Sequence, residues 1–336
     1  MKRRVIVIGG GIAGMQTALT LDSEGFEVQL IEREAQLGGK LTEWHLLFPT
    51  FTSAEEVLAP LREALRASRV ELLMGCTAVA LSPKAVQLAD GRTLPCDAVV
   101  VASGFSLFDA RLKEEYGYGL YDNVYTSRDV ERMMREGRVR LKDGSEPRRI
   151  ALLHCVGSRD AKVCRLHCSR VCCVTGVKQA MELRKCFPTA EIFNFYMDIR
   201  MFGPGYEEMY REAQLRDNIH FIRGRISEAA PTFDGRVQIK AEDTLTARPL
   251  RMSVDMLVLM VGMEGAVENE PLARSADLPL LTAGFFAPRD LFHHATESPV
   301  EGIFYAGTVT APKTVGESLH EATTAAHRVK AYLTSL

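Results

Sequence analysis

Glycines at positions 9, 11 and 14 follow directly on the apolar run Val5-Ile6-Val7-Ile8, and no other feature of the chain narrows its fold so far. A Gly9-x-Gly11-x-x-Gly14 turn between a strand and a helix lets the backbone turn tightly and approach a pyrophosphate, which the helix N-terminus then faces. Ala13 lies inside the same turn. The pattern predicts a strand over Arg4 to Ile8, a helix over Ile12 to Ser23 and a strand over Glu27 to Glu32, with Arg33 next. Glu32 ends that strand 18 residues after Gly14, where a carboxylate accepts from ribose hydroxyls. A glycine turn that merely packs tightly would need neither the strand–turn–helix setting nor the spaced acid.

The remaining order extends this unit and then repeats it. A Gly38-Gly39 turn, a helix near Ser53 to Ala67, a strand over Val70 to Met74 and a meander turning at Asp90-Gly91 lead to the apolar strand Ala98 to Val101, which stops at Gly104. The middle third predicts a strand over Arg149 to His154, a helix from about Ser169 to Lys185 and a strand over Glu191 to Tyr196. A helix over Tyr206 to Leu215, a strand over His220 to Arg223, a meander at Asp234-Gly235 and a strand over Met256 to Val261 complete it. The chain from Gly302 supplies a further strand and a long helix from Val315, assigned to the first unit. The expected fold is α/β, two dinucleotide-binding (Rossmann-like) domains with the second inserted in the first: 1–125 with 266–336, and 126–265.

A formal charge of -2 and a pI near 6.5 leave no basic footprint for nucleic acid. The opening Met1-Lys2-Arg3-Arg4 and its apolar run resemble a signal peptide, but the glycines interrupt the run at once. Met256 to Met263 is far shorter than the roughly 20 residues a bilayer needs. These features predict a cytoplasmic protein without a membrane span. The charged residues of 128–140 read as the solvated face of a helix, and Cys76, Cys96 and Cys186 as small buried side chains.

Five of the eight cysteines crowd into residues 155–173. Where the second unit would carry its own glycine turn, the sequence reads Leu153-His154-Cys155-Val156-Gly157-Ser158-Arg159-Asp160. One glycine remains, which argues against ordinary nicotinamide nucleotide binding, although Asp198 keeps a ribose contact open. Four thiolates within a few ångströms suit a four-iron four-sulfur (4Fe-4S) cluster. Zinc favours CxxC knuckles, which this segment lacks, and a vicinal Cys172-Cys173 disulfide is a third reading. A helix starting near Ser169 would place Cys168 and Cys172 on one face, with Cys173 turned about 100° away.

Glu34-Ala35-Gln36-Leu37-Gly38-Gly39-Lys40, followed by Leu41, resembles the second glycine turn of two-dinucleotide-domain flavoproteins. Val100-Val101-Ala102-Ser103-Gly104 resembles their middle motif, with Ser103 where threonine is more usual. Gly302-Ile303-Phe304-Tyr305-Ala306-Gly307 resembles their C-terminal motif, with Thr308 where aspartate is common. The resemblance implies FAD in the first unit, with Lys40, Lys313, Thr314 and the helix end at Val315 near the flavin.

Further phrases resemble the A subunit of heterodisulfide reductases and their relatives. They are Cys155-Val156-Gly157-Ser158-Arg159-Asp160, Cys168-Ser169-Arg170-Val171-Cys172-Cys173, Tyr196-Met197-Asp198-Ile199-Arg200, Gly205-Tyr206-Glu207-Glu208, and Glu115-Tyr116-Gly117-Tyr118-Gly119 running on to Val124. That resemblance implies a thioredoxin-reductase-like fold and a 4Fe-4S cluster on Cys155, Cys168, Cys172 and Cys173, with Cys164 left over. Without ferredoxin-type modules, the chain is similar to the short form in the complexes of sulfur-oxidising bacteria. The implied role is electron transfer between flavin and cluster among the other subunits of such a complex, with no catalytic residue assigned; by analogy with oxidoreductases of this fold, which commonly self-associate, a homodimer is expected. The alternative is a free-standing pyridine-nucleotide–disulfide oxidoreductase. Such enzymes carry a cysteine pair after the second glycine turn, where this chain has Leu41-Thr42-Glu43-Trp44-His45.

Overall fold

Apolar runs rich in branched residues and buried on both faces form the central strands of two parallel sheets, as such runs do when helices cover both sides. The computed structural model describes residues 3–336; Met1 and Lys2, at the charged opening, lie outside the described residues. Within the first sheet the order is Ile303–Tyr305, Ala98–Val101, Arg4–Ile8, Glu27–Glu32, Glu71–Met74, with every neighbouring pair parallel. Val5, Ile6, Val7 and the whole of Ala98–Val101 have no exposed surface. The helix Ile12–Ser23 packs on the C-terminal helix Val315–Ser335 through small side chains, and Thr17 Oγ1 donates to the Ala322 carbonyl at 3.3 Å.

The second sheet repeats that arrangement as Val124–Thr126, Met256–Val261, Arg149–Val156, Glu191–Tyr196, His220–Arg223, again all parallel. A three-stranded antiparallel meander accompanies each sheet: Ala78–Ser82, Ala85–Leu88 and Thr93–Pro95 in one, Ile226–Pro231, Val237–Asp243 and Arg248–Val254 in the other.

The chain divides into a unit formed by the residues up to Thr42, Ala54–Ser106 and Glu264–Leu336, and a second formed by Glu43–Ser53 and Leu107–Met263. Two stretches thus lie with the second unit where the sequence division puts them in the first. Residues 107–125 do so because Val124 pairs with Leu257 at the edge of the second sheet. The segment Glu43–Ser53 does so because buried side chains hold its backbone: Lys178 Nζ donates to the Leu46 carbonyl at 3.0 Å, and the His45 amide donates to Glu131 at 3.0 Å.

Three further expectations change. The helix expected from Ser169 begins at Cys172, because Arg170 takes a left-handed φ of 57° and Ser169 Oγ accepts from the Met263 amide at 2.9 Å. Cys168 therefore precedes the helix and does not share a helical face with Cys172. Glu131, read as solvated, is 4% exposed and paired with Lys178. Of the three outlying cysteines only Cys96 is buried, which pushes its thiol up to about 12; Cys76 is half-buried and Cys186 exposed. No helix among the described residues is long and apolar enough to cross a membrane.

Candidate functional site

The first glycine turn is built by close backbone approach. A Cβ on Gly14 would lie 1.8 Å from the Gly9 carbonyl oxygen, and one on Gly9, at φ 111°, would lie 2.3 Å from that of Ala102. The fold itself requires glycine at both places. Gly11 is different: its backbone is extended, and an added Cβ would meet nothing nearer than the Gly39 Cα at 4.0 Å. The second glycine turn comes up beside it, with the Gly38 amide donating to the Gly10 carbonyl at 2.9 Å. Packing within the chain does not demand a bare backbone at Gly11, so the space fits a ligand that approaches the main chain closely.

Glu32 is 7% exposed and already oriented. Its Oε2 accepts from the Gly10 amide at 2.7 Å and its Oε1 from the Glu34 amide at 2.8 Å, which leaves lone pairs for a ribose hydroxyl. A Cβ on Gly10 would strike that carboxylate at 2.7 Å, so Gly10 belongs to the site; its only signal in the sequence is its place inside the motif. Arg33 is engaged by Glu34 and Glu268 of the same unit. Lys40 and the buried Leu41 follow Gly39 in a short 3-10 turn. Ser103 Oγ donates to Asn269 Oδ1 at 2.7 Å, and Asn269 Nδ2 donates to the Gly284 carbonyl at 2.9 Å. The middle motif is thereby fastened by a residue that carries no motif of its own.

At the C-terminal motif, Gly307 adopts φ 74°, and a Cβ there would lie 2.6 Å from that of Ala13, so two small residues let this turn close on the first helix. Gly104 comes near Thr308 on the same side. Lys313 Nζ donates to the Gly307 carbonyl at 2.8 Å and to Thr310 Oγ1 at 2.6 Å, and pairs with Glu321 at 3.0 Å, so its charge is used to shape this loop. Thr314 caps the helix that starts at Val315: Oγ1 accepts from the Glu317 amide at 3.2 Å, and the Glu317 carboxylate accepts from the Thr314 amide at 2.8 Å. A Cβ on Gly316, in the first turn, would meet nothing within 4 Å.

The second unit arranges sulfur at the corresponding turn. The register of Arg149–Val156 against Met256–Val261 shifts between Leu153 and Val156, and Cys155 takes φ 61°; such irregularities re-aim a side chain. Cys155 Sγ lies 3.8 Å from Cys172 Sγ, and Cys173 Sγ lies 3.4 Å from the Asp198 carbonyl oxygen. Cys155, Cys172 and Cys173 are each at most 4% exposed. Cys168 is half-buried, its sulfur accepting from the Arg170 amide at 3.3 Å. Cys164 sits at the exposed tip of a hairpin closed by Asp160 and Arg165, whose amides each donate to the other's carbonyl, at 2.8 and 2.9 Å.

Hydrogen bonding divides the thiols. Cys172 is held well above the ordinary thiol value by its contacts with Cys155 and Cys173 and by burial. Its hydrogen bond lowers Cys173 to about 4, helped by His154, and lowers Cys155 to about 7. Thiolate is the form that binds metal. The Arg159 guanidinium, paired with Asp198 at 2.6 Å, lies within electrostatic reach of Cys155 and Cys168. Asp198, a candidate ribose ligand by sequence, is thus taken up by arginine. Gly157, the surviving glycine, has its space filled: a Cβ would lie 2.0 Å from the Phe108 ring. Among the described residues no three His, Cys, Asp or Glu side chains are gathered for a single metal ion. The structure brings Cys155, Cys172 and Cys173 together and leaves Cys168 just ahead of the helix. As a donor set, three buried thiols with lowered values at two of them, a fourth half-buried thiol and a nearby guanidinium fit an iron–sulfur cluster.

Residues 3–327 match the family described as pyridine nucleotide-disulphide oxidoreductase. The chain is 31% identical to the iron-sulfur A subunit of the CoB–CoM heterodisulfide reductase of Methanocaldococcus jannaschii, over 96% of this chain and 63% of that protein. It is 29% identical to the A subunit of the ferredoxin:CoB–CoM heterodisulfide reductase of Methanosarcina mazei, over 97% of this chain and 53% of that protein. The chain therefore spans less than two thirds of the length of these curated relatives. Among solved structures, the thioredoxin reductase of Lactococcus lactis superposes over 100% of both chains with a TM-score of 0.71 at 16% identity, and that of T. acidophilum over 99% of both with 0.69 at 16%. The fold, its two parallel sheets and the match over nearly the whole length place this chain in the pyridine nucleotide-disulphide oxidoreductase family, a family of flavoprotein oxidoreductases.

Proposed function

We propose that the chain binds FAD in its first unit and a 4Fe-4S cluster on Cys155, Cys168, Cys172 and Cys173 in its second. In this reading it transfers electrons as the A-type subunit of a heterodisulfide-reductase-like complex in sulfur metabolism, alongside other subunits and as a homodimer. The observation that carries it is the contrast between the two glycine turns. Above Gly11 the backbone is left bare, while above Gly157 Phe108 fills the space and buried thiols stand at the strand end. The aligned stretch with the Methanocaldococcus jannaschii relative runs to 417 positions against a chain of 336, so the relative carries inserted stretches this chain lacks, which supports the short form.

When bound, a flavin that exchanges electrons with a one-electron cluster lets paired electrons be split into single transfers. The chain's own residues bind and shield. Gly11 and Gly39 open the backbone to the pyrophosphate, Glu32 offers its carboxylate to the ribose, and the capped end of Val315–Ser335 presents its positive dipole to developing negative charge. In the second unit Cys155, Cys172 and Cys173 keep their sulfurs away from water. Anaerobic purification with metal and flavin analysis tests the reading. About four irons and one FAD per chain are expected; stoichiometric zinc overturns it. Cys172→Ser loses iron and keeps the flavin.

A second reading rests on the 3.8 Å separation of Cys155 and Cys172 and on the lowered Cys155. These two would then form a dithiol–disulfide couple, giving two electrons and two protons to an oxidised flavin as the disulfide closes. An iron-free protein that loses two titratable thiols on oxidation would establish this instead.

A further inference from the structure

His154 is 2% exposed and immediately precedes Cys155. Its ring occupies a notch in the cysteine helix Cys172–Cys186: a Cβ on Gly176 would lie 2.4 Å from His154 Nε2 and 2.9 Å from its Cε1. Mid-helix glycine costs about 0.5–1 kcal/mol relative to alanine. The three atoms nearest the missing methyl all belong to this ring, so Gly176 is explained by His154. Gly176 stands three residues after Cys173 and shares its helix face. The notch therefore holds the ring on the helix face that carries Cys173, near enough for the two side chains to interact electrostatically. On the other side Asn194, fully buried on Glu191–Tyr196, places Oδ1 3.1 Å from His154 Nε2. Each partner keeps one buried polar atom unsatisfied, His154 Nδ1 and Asn194 Nδ2. An unmet buried donor or acceptor costs about 1–3 kcal/mol, so two in one contact mark a site that expects a further polar or ionic neighbour.

We infer that His154, seated by Gly176 and steadied by Asn194, is a positioning residue that hydrogen-bonds the Cys173 sulfur and raises the reduction potential of the metal centre held there. The inference rests on the cluster reading of the same cysteines. With the Asn194 amide turned so that Nδ2 donates to His154 Nε2, the neutral ring carries its one N–H on Nδ1 and offers it to the sulfur, so the effect does not depend on protonating the ring. A donor to a ligating sulfur draws off charge and favours the reduced, more negative state; hydrogen bonds to sulfur are among the levers that set such potentials. The role extends to a residue that ligates nothing.

The test is a potentiometric titration of the intact, anaerobically purified protein, followed by the spectrum of the reduced centre, with iron and FAD counted for each variant. His154→Leu is expected to make reduction about tenfold less favourable, a midpoint lower by about 59 mV for one electron. His154→Gln, which keeps an amide donor, recovers most of that shift. Gly176→Ala leaves the histidine but displaces its ring, and its midpoint falls too. An unchanged midpoint in His154→Leu and Gly176→Ala with full iron overturns the inference while leaving the cluster in place. If the leucine variant sheds its iron, the other two decide: a midpoint unmoved by Gly176→Ala overturns the inference, and a lowered one supports it. A wild-type protein without iron removes the cluster reading itself.

Discussion

Gly14 and Gly11 are the same residue type in one motif, yet the structure gives them different reasons to exist. At Gly14 a methyl group would be driven into a carbonyl oxygen, whereas at Gly11 it would reach into free space beside Gly39. Gly14→Ala is therefore expected to destabilise the flavin-free protein by about 3 kcal/mol or more, through overpacking against rigid backbone. Gly11→Ala should unfold within about 0.5 kcal/mol of the wild type and bind FAD at least tenfold more weakly. Denaturant melts of the apoprotein and a flavin fluorescence titration separate the two; equal FAD affinity in Gly11→Ala would remove the pyrophosphate from that space. The motif makes Gly9, Gly11, Gly14 and Glu32 readable from the sequence because its spacing encodes local geometry. Gly10, Asn269 and the loop-shaping role of Lys313 are not readable there, since each depends on a partner brought up by the fold, Asn269 lying 166 residues from Ser103.

Helices and loops of the second unit are fastened by ionic groups inside the protein. Lys178 is shared by Glu131 and Glu182, 2.9 Å from the latter, and each of the three is at most 4% exposed. Removing the ammonium in Lys178→Met leaves Glu131 to the His45 amide and Gln179, and Glu182 to the His45 ring, and is expected to cost about 3–5 kcal/mol. Glu131→Gln leaves a one-to-one pair with Glu182 and should change stability by no more than about 1 kcal/mol; urea melts of both variants compare them. Asp160, at the neck of the cysteine hairpin, behaves as a second fastening. Burial alone would raise its carboxyl, but Lys113 at 2.8 Å and the Arg225 guanidinium outweigh it and hold the group below the usual aspartate range. A carboxylate lowered on folding contributes above its unfolded value, near pH 4, and loses that contribution as pH falls toward its folded value. The wild type should therefore weaken in acid below about pH 4, while Asp160→Asn is less stable at neutral pH and loses less on acidification. Charge pattern alone puts Glu131 on a solvated helix face because sequence spacing reports neighbours three and four residues away, and Lys178 lies 47 residues on.

Across the whole molecule one strand order serves twice, and the repeat is legible in the sequence because each copy runs strand, helix, strand in the same order. The edge strand Val124–Thr126 is not legible; three residues carry too short an alternation to stand out, and its membership is fixed by pairing with Val258 and its neighbours. What separates the copies is the space at the first turn of each. A nicotinamide nucleotide needs backbone amides and an acidic residue free at that turn. In the second copy Phe108 lies over Gly157, and Asp198 is held by Arg159 and Arg200. Both obstacles come from within the same unit, so the prediction does not depend on any partner. Mixing the isolated protein with NADH or NADPH under anaerobic conditions should leave the flavin absorbance unchanged over minutes, and calorimetry should detect no binding. Phe108→Ala alone should not create a nucleotide site, because the aspartate stays paired. Fast bleaching in the wild type would mean that the second copy still receives a nucleotide despite the aromatic ring over its glycine, and the dithiol reading of Cys155 and Cys172 would then take precedence.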